Sequence, residues 1–236
     1  MEHRLSKESL KEFPILSNCS NQELEWLSEK LKGKTYFKGE SIYREGEEGQ
    51  HVYFISDGSV KLGITSSCGK LLIKDILHNN DIFGENIFTS VSTRKEFAEV
   101  MKGKVTVFSL KKEDLQKLLM HNSVFANDMV SLVVDRLNAL EKRMENFIFK
   151  KAKARIVDFI VRTGKTRGIK IGLDELLINH GMSHKEIAFL TDTSRQTVAR
   201  VLGELKKDKL IHFSSRKPSK ILIRDLMTLN TVQVSG

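Results

Sequence analysis

The sequence predicts an α+β protein in which an N-terminal antiparallel double-stranded β-helix, or jelly roll, precedes a long helix and a C-terminal winged helix-turn-helix. Three observations support this prediction. Short β-branched segments alternate with glycines in the first half, a heptad repeat follows them, and two capped helix starts lie close together near the C-terminus. The expected domains are residues 1–121, 122–149 and 150–236.

Residues 31–108 have the pattern of a run of short strands. The segments HVYFI, SVKLGI, LLIKDIL and KVTVFSL are rich in β-branched and aromatic residues, and turn material such as GEEG, DG and SSCGK separates them. This punctuation is typical of antiparallel sandwiches and barrels. Ser20 or Asn21 is expected to cap a preceding helix that packs on the roll. Its apolar face is formed by Leu24, Leu27 and Leu31.

Over residues 122–149 the apolar period changes from two to a heptad. Six apolar residues recur at alternating intervals of three and four: Val130, Val133, Leu137, Leu140, Met144 and Phe147. A seam of this regularity is typical of a helix that pairs with a partner helix. We therefore expect a homodimer in which two long helices lie side by side. The alternative is that the helix lies on its own β-roll.

The segment KKAKARIVDFIVRTG predicts a new helix that Gly164 is expected to end. A change in charge marks the same boundary. Residues 1–149 contain 21 Lys and Arg against 22 Asp and Glu, whereas residues 150–236 contain 18 against 8, a net charge of +10. Such segregation is expected where a module binds a polyanion, most often nucleic acid. A basic surface that only improves solubility does not predict it.

The segment HKEIAFLTDTSRQTVARVLGEL predicts two helices around a three-residue turn. Two sequences with capping-box form mark the helix starts, Ser183-x-x-Glu186 and Thr193-x-x-Gln196. The first helix is expected over residues 184–190 and the turn over residues 191–193. This arrangement predicts a helix-turn-helix.

The second helix, expected over residues 194–207, is amphipathic. Its aliphatic residues share one face: Val198, Val201, Leu202 and Leu205. The opposite face then carries Arg195, Gln196 and Arg200. In a major groove Arg pairs with the O6 and N7 atoms of guanine, and Gln pairs with adenine. A solvated charged face is the simpler alternative, but the caps, the turn and the regional charge all favour DNA recognition.

A two-stranded hairpin is predicted after these helices. The segments KLIHF and KILIRDL form its strands and SSRKPSK its turn. Its basic residues Arg216, Lys217 and Lys220 are expected to contact DNA phosphates. The whole unit is therefore a winged helix-turn-helix.

This order of elements resembles the Crp/Fnr family of bacterial transcription regulators over about residues 10–226. GEEGQHVYFISDGSVKL is similar to the family's glycine-bracketed strands, NNDIFGEN to the start of its ligand cassette, and MSHKEIAFLTDTSRQTVARVL to its DNA-binding motif. The resemblance implies base contacts by Arg195, Gln196 and Arg200, and phosphate contacts by Ser183, Ser194 and Thr197. It also implies a homodimer on an inverted repeat, RNA polymerase as a partner and an effector-sensing β-roll. Many members have glutamate at the position of Gln196, so a half-site read by that glutamate is not expected.

The ligand cassette departs from the members that bind cyclic nucleotides. Those members follow their Gly-Glu pair with Arg-Ser or Arg-Thr about ten residues later. Here Gly84 and Glu85 are followed by STRKEFAEV, and a one-residue gap puts Lys95 or Glu96 at the arginine position. Because an acidic side chain repels phosphate, we expect an effector other than cAMP or cGMP. Arg94 is the residue that would restore phosphate binding.

The cofactor is unknown from the sequence. The iron–sulfur branch of the family needs an N-terminal cysteine cluster, and this chain has Cys19 alone in that region, which excludes a cluster. Haem stays an alternative, with His51, His78, Cys68 or a methionine as axial ligands. A small molecule, a redox signal or no effector at all are also left open.

The remaining classes are disfavoured by what the sequence lacks. It has no nucleophile–base motif, no phosphate-binding glycine loop and no metal-ligand cluster, so an enzyme is not expected. A charged N-terminus and the lack of a long apolar stretch predict a cytoplasmic protein without a membrane partner. The alternative function is a cyclic-nucleotide, small-molecule or haem-sensing module whose basic C-terminal domain contacts another acidic partner.

Overall fold

The protein is described by a computed structural model that covers residues 5–69, 71–88, 93–173, 175–178, 182–214 and 220–231. The chain forms two compact units, Met1–Arg136 and Leu137–Gly236. The predicted fold class is confirmed: an N-terminal β-roll, a long helix and a C-terminal helix-turn-helix domain.

The first unit contains helices at both ends and two antiparallel sheets between them. Its helices are α1 (Lys7–Lys11), α2 (Asn21–Lys30), α3 (Lys112–His121) and the first part of α4 (Ser123–Phe149). Its strands are β1 (Lys32–Phe37), β2 (Ser41–Tyr43), β3 (His51–Asp57), β4 (Val60–Thr65), β5 (Leu71–Leu77), β6 (Ile82–Phe83), β7 (Phe97–Val100) and β8 (Lys104–Lys111). One sheet has the order β1-β8-β3-β6 and the other β2-β7-β4-β5.

Strand alternation gives the roll two apolar cores. On β3, Val52 and Phe54 pack with the flanking helices, whereas Ile55 belongs to a cluster formed by residues of both sheets. Phe13 packs edge-on against Phe54 with ring centroids 5.4 Å apart. The helices of this unit therefore pack on one face of β3, and the second sheet packs on the other.

Helix α2 begins where the sequence predicts. Of the two expected caps, Ser20 is the one used: its hydroxyl accepts from the Glu23 N–H, and the Glu23 carboxylate accepts from the Ser20 N–H at 2.7 Å. The predicted apolar face is buried, as Leu24 and Leu27 are fully inaccessible to solvent. Asn122 caps α4 in a similar way, because its side-chain oxygen accepts from the Phe125 N–H at 2.9 Å.

The second unit contains the end of α4, four further helices and a four-stranded antiparallel sheet. The helices are α5 (Ala152–Arg167), α6 (His184–Leu190), α7 (Arg195–Lys207) and α8 (Leu226–Thr231). The strands are β9 (Ile169–Lys170), β10 (Leu176–Ile178), β11 (Ile211–Phe213) and β12 (Ile221–Ile223), in the order β11-β12-β10-β9. The predicted hairpin is the β11–β12 pair, which β10 and β9 extend.

The prediction that Gly164 ends α5 is wrong. The helix continues to Arg167, and the Gly168 N–H donates to the Gly164 carbonyl at 2.9 Å. Inside the helix, Gly164 leaves room for the Ile223 side chain, which packs against it. A Cβ atom at Gly164 would lie 2.8 Å from Ile223 Cδ1.

No helix in the described part of the chain is both long and apolar enough to cross a membrane.

Candidate nucleic-acid interface and effector pocket

Helix α6 starts at the capping box that the sequence predicts. The Ser183 N–H donates to the Glu186 carboxylate at 2.6 Å, and the Glu186 N–H donates to the Ser183 hydroxyl at 3.3 Å. The capping box predicted at the start of the second helix, Thr193-x-x-Gln196, is wrong. Thr193 remains in the turn, where its N–H donates to the Ala188 carbonyl at 2.9 Å. Ser194 has the extended backbone of an N-cap and accepts from the Thr197 N–H at 3.0 Å, so α7 is capped by Ser194.

Helix α7 is divided into a buried and an exposed face. The buried face consists of Val198, Val201, Leu202 and Leu205, each at most 1% exposed. Arg195, Gln196 and Arg200 are exposed on the other face. Because Arg195 and Gln196 form the start of α7 and Arg200 lies one turn further along, the three polar side chains project from the N-terminal half of the helix.

One carboxylate lies beside this exposed face. Glu204 forms ion pairs with Arg200 and, at 3.2 Å, with Lys153 of α5. The hydrogen bond from Lys153 and the charge of Arg200 hold the pKa of Glu204 below its usual range. Glu204 is therefore the carboxylate partner of both Arg200 and Lys153.

The residues expected to contact phosphate lie at two places in the domain, the helix starts and the β11–β12 hairpin. Ser183 and Ser194 are exposed and cap α6 and α7, and the Thr197 hydroxyl lies 2.8 Å from that of Ser194. Lys220 adjoins β12, and its carbonyl accepts from the Ser214 N–H at 3.0 Å. The two other expected phosphate contacts, Arg216 and Lys217, lie outside the described residues.

Two arginines that the sequence reasoning did not single out bind the turn between α6 and α7. Arg143 of α4 donates to both carboxylate oxygens of Asp192, at 2.7 and 2.9 Å, and to the Phe189 carbonyl at 2.8 Å. Arg155 of α5 donates to the Thr191 and Asp192 carbonyls, each at 2.8 Å. An arginine in the first turn of a helix opposes the helix dipole, and this is the sequence signal that could have revealed Arg155.

In the β-roll, Arg94 is the residue directed at the cassette. It is 3% exposed, and its Nη1 atom donates to the Gly84 carbonyl at 2.9 Å and to the Asn86 side chain at 3.1 Å. Its Nη2 atom donates to the His51 carbonyl, and the guanidinium lies 4.2 Å from the centre of the Tyr43 ring. The positive charge is thus enclosed by carbonyl oxygens and an aromatic face.

The two residues that follow Arg94 were expected at the arginine position of the cassette, and the structure places them differently. Lys95 is exposed in the bend that precedes β7. Glu96 is 6% exposed, on the same side as Arg94, and forms an ion pair with Lys74 and accepts from the Tyr43 hydroxyl at 3.3 Å. Arg94, rather than Lys95 or Glu96, therefore occupies the place next to Gly84.

Glu85 is bound by the long helix. Arg136 of α4 forms an ion pair with the Glu85 carboxylate and also donates to the Ile82 carbonyl. Burial disfavours the charged guanidinium, but the Glu85 carboxylate outweighs this effect and raises the pKa of Arg136. The charged side chains of Glu85 and Arg94 are thus both paired within the chain.

The candidate haem ligands lie in different parts of the first unit. His51 is half-buried on β3, and burial, followed by the charge of Arg94, lowers its pKa. His78 follows β5, and its Nδ1 atom lies 3.2 Å from the Ser59 hydroxyl. Cys68 is exposed, with Sγ 3.1 Å from the Ser66 hydroxyl. Within the described ranges, no group of three His, Cys, Asp or Glu side chains is arranged to hold a metal ion.

The heptad seam of α4 is exposed. The side chains that form it are 45–64% accessible: Val130, Val133, Leu137, Leu140, Met144 and Phe147. The same helix buries Phe125 and Met129 against the core of the first unit. A groove of about 620 Å³ beside this helix is lined by Glu85, Asn86, Leu119, Ala126, Met129, Val130, Val133, Val134 and Arg136. Helix α4 therefore has separate buried and exposed apolar faces.

Comparison with known proteins identifies both parts of the chain. Residues 34–122 match the cyclic nucleotide-binding domain family, and residues 154–232 match the Crp-like helix-turn-helix domain family. The chain is 27% identical to the global nitrogen regulator of Synechococcus elongatus over 188 residues, which is 79% of this chain and 84% of the relative. It is 23% identical to the cyclic AMP receptor protein of Thermus thermophilus over 223 residues, which is 94% of this chain and 98% of the relative.

Solved structures share the fold. FixK2 from Bradyrhizobium japonicum matches with a TM-score of 0.74 and 23% identity over 85% of this chain and 96% of that chain. A CooA mutant from Carboxydothermus hydrogenoformans matches with a TM-score of 0.77 and 21% identity over 98% of each chain. Together with the two domain families, these similarities show that the chain belongs to the Crp/Fnr family of DNA-binding transcription regulators.

Proposed function

We propose that the chain is a homodimeric, sequence-specific DNA-binding regulator that reads an inverted-repeat operator through α7. The observation that carries the proposal is the division of that helix, which buries four aliphatic side chains and leaves Arg195, Gln196 and Arg200 exposed. These three side chains point away from the core of the domain, and a major groove offers base edges to all of them. The net charge of +10 over residues 150–236 supports the same partner.

In this proposal the contacts divide into two kinds. Arg195, Gln196 and Arg200 read base edges and confer sequence specificity. The phosphate contacts position the domain on the duplex and come from Ser183, Ser194, Thr197, Arg216, Lys217 and Lys220. Helix N-termini bind phosphate through their N–H groups, and Ser183 and Ser194 lie at two such termini.

The homodimer is proposed from the exposed seam of α4. Six large apolar side chains in a heptad register are costly to leave in water, and a second copy of the same helix buries them symmetrically. A two-fold dimer presents two recognition helices about 34 Å apart, which is one turn of duplex, and therefore binds an inverted repeat. The expected domains, 1–121, 122–149 and 150–236, then act as sensor, dimerisation helix and DNA-binding domain.

The effector is proposed to be a small molecule other than a cyclic nucleotide. A cyclic phosphate would have to displace the carbonyl partners of Arg94 and approach the buried carboxylate of Glu96. A ribose would have to compete with Arg136 for Glu85. Effector binding would change the angle at the joint after Phe149 and so alter the fit to DNA, with RNA polymerase as the partner whose activity is regulated.

The test is selection of duplexes from a random pool by the purified full-length chain, followed by gel-shift titration of the selected sequence and a scrambled one. We expect an inverted repeat to be selected, and Arg200→Ala to weaken binding to the repeat by about tenfold or more while binding to the scrambled duplex changes little. Arg162→Ala, which removes an exposed positive charge from α5, is the matched control. Equal weakening of both duplexes by Arg200→Ala would show that Arg200 does not read bases.

A further inference from the structure

The turn between α6 and α7 is bound from two sides by guanidinium groups. Arg155 binds the Thr191 and Asp192 carbonyls, and Arg143 binds the Phe189 carbonyl together with the Asp192 carboxylate. The Phe189 carbonyl lies in the last turn of α6 and the Thr191 and Asp192 carbonyls follow it, at the end of the helix where the dipole favours a positive charge. The backbone at the point where α7 begins is therefore held by two helices that do not belong to the helix-turn-helix motif.

The two arginines lie on opposite sides of the short connection between α4 and α5. Helix α4 ends at Phe149 and α5 begins at Ala152. Arg143 precedes this connection and Arg155 follows it, and Arg155 also donates to the Lys150 carbonyl at 2.7 Å. Arg155 thus attaches the turn to α5, whereas Arg143 attaches the same turn to the end of α4.

The position of Arg143 on α4 fixes the orientation of the α6–α7 turn relative to the end of α4. Arg143 lies between the seam residues Leu140 and Met144, so it flanks the face that is proposed to meet a second copy. Its two parallel bonds to Asp192 define an orientation as well as a distance, which a single point charge does not. Asp192 itself has a left-handed backbone, with φ of 50°, so its carboxylate is presented by a turn of defined shape.

The geometry of the pair indicates that orientation is its main contribution. The Arg143 and Asp192 side chains are 21% and 19% exposed, so the pair is largely shielded from water and its two parallel hydrogen bonds hold it in one direction. The core of this unit is formed independently by aliphatic side chains such as Val198 and Leu202.

We propose that Arg143 and Asp192 are positioning residues for DNA recognition, whose ion pair sets the direction of α7 relative to residues 137–149 of α4. In a dimer paired through α4, this direction determines the distance between the two recognition helices. The pair thereby determines which spacing of half-sites the protein accepts. This inference rests on the proposed function, because it requires two half-sites read by two copies of α7.

The test compares four variants with the wild type on a duplex that the wild type selects from a random pool. Arg143→Met and Asp192→Asn each break the pair, and asparagine tolerates the left-handed backbone. The third variant combines both changes. The fourth, Lys142→Met, is the matched control, because it removes a neighbouring positive charge that pairs with Glu145 on the surface of α4. Binding is measured on the selected duplex, on versions with one or two base pairs inserted or deleted at its centre, and on scrambled duplex.

We expect the wild type and Lys142→Met to bind the altered spacings about tenfold more weakly than the selected one. Arg143→Met and Asp192→Asn should bind the selected duplex about tenfold more weakly and discriminate among the spacings by about threefold or less. The double variant should be no weaker than either single one, because the two residues act as a unit. Binding to scrambled duplex should stay close to the wild-type value, whereas the thermal midpoint should fall, because each single change leaves a largely shielded partner unpaired.

Two results would overturn the inference. One is an unchanged spacing profile in Arg143→Met and Asp192→Asn. The other is an equal loss of selected and scrambled binding, since a purely structural role predicts that pattern. If Arg143→Met does not fold, Asp192→Asn still decides the question. Failure of the wild type to select any inverted repeat would instead refute the proposed function.

Discussion

Arg94 donates through Nη1 to the Gly84 carbonyl at 2.9 Å, which places a buried guanidinium against the backbone of the ligand cassette. The same side chain also binds Asn86 and the His51 carbonyl. Within the first unit it therefore joins β3 to the segment after β6. This relationship predicts that Arg94 supports the fold of the roll whether or not an effector is bound.

Replacement of Arg94 by methionine is expected to destabilise the first unit. It leaves the Gly84 and His51 carbonyls without their donor in a buried site, so the free energy of unfolding should fall by about 2–4 kcal/mol. Urea denaturation followed by circular dichroism measures this change. Lys95→Gln is the matched control, because Lys95 is exposed and its loss should change stability by no more than about 0.5 kcal/mol. Equal stability of the two variants would contradict the structural role.

Cyclic nucleotides are expected to leave the protein unaffected. A ligand that binds only the folded state raises the thermal midpoint, and the stabilisation grows with the logarithm of the ligand concentration divided by its Kd. Because Arg94 and Glu85 are already paired within the chain, about 1 mM cAMP or cGMP should not raise the midpoint measurably. A rise of several degrees that disappears in Arg94→Met would show that the internal partners yield to a phosphate.

A negative charge in the heptad seam is expected to dissociate the proposed dimer. Leu137→Glu places two carboxylates near the two-fold axis, where they repel each other and lose hydration. Sedimentation velocity should show a monomer for this variant and a dimer for the wild type. Ser131→Glu adds the same charge at an exposed position outside the seam and should remain dimeric. A monomeric wild type would refute pairing through α4.

Gln196 is expected to determine one base of each half-site. Glutamine donates to and accepts from adenine, whereas glutamate only accepts and so favours the amino group of cytosine. Selection from a random pool by Gln196→Glu should therefore change the preferred base at a single position in each half-site. Thr197→Ser keeps a hydroxyl at the neighbouring position and should leave the selected sequence unchanged. A selected sequence identical for Gln196→Glu and wild type would exclude Gln196 from base reading.

The two cysteines are expected to differ strongly in reactivity. Burial, reinforced by the charges of Glu23 and Asp128, raises the pKa of the Cys19 thiol to about 11, whereas Cys68 is exposed. Only about one thiol in a thousand is then ionised at Cys19 near pH 8, and the thiolate is the reactive form. Titration with a chromogenic disulfide reagent should detect one fast thiol per native chain and two in denaturant. Loss of the fast thiol in Cys68→Ser checks the assignment, and a fast reaction at Cys19 would contradict its burial.

Much of the recognition motif is predictable because its signals are local. The Ser183 capping box joins residues three positions apart, and the aliphatic face of α7 repeats at intervals of three and four. Such patterns depend on helix geometry alone. The cap of α7 lies at Ser194, one residue after the expected Thr193, because the Thr193 N–H donates to the Ala188 carbonyl and keeps Thr193 in the turn.

The sequence by itself determined the order of the elements, the two faces of α7 and the segregation of positive charge, since each follows from residue type and short-range period. Tertiary structure decided the partners of the ionised side chains. Arg94 meets a carbonyl 43 residues away, and Arg143 meets Asp192 across 49 residues. The physical reason is that an arginine can satisfy its donors with any carbonyl or carboxylate that folding brings within reach, so no spacing along the chain identifies the partner.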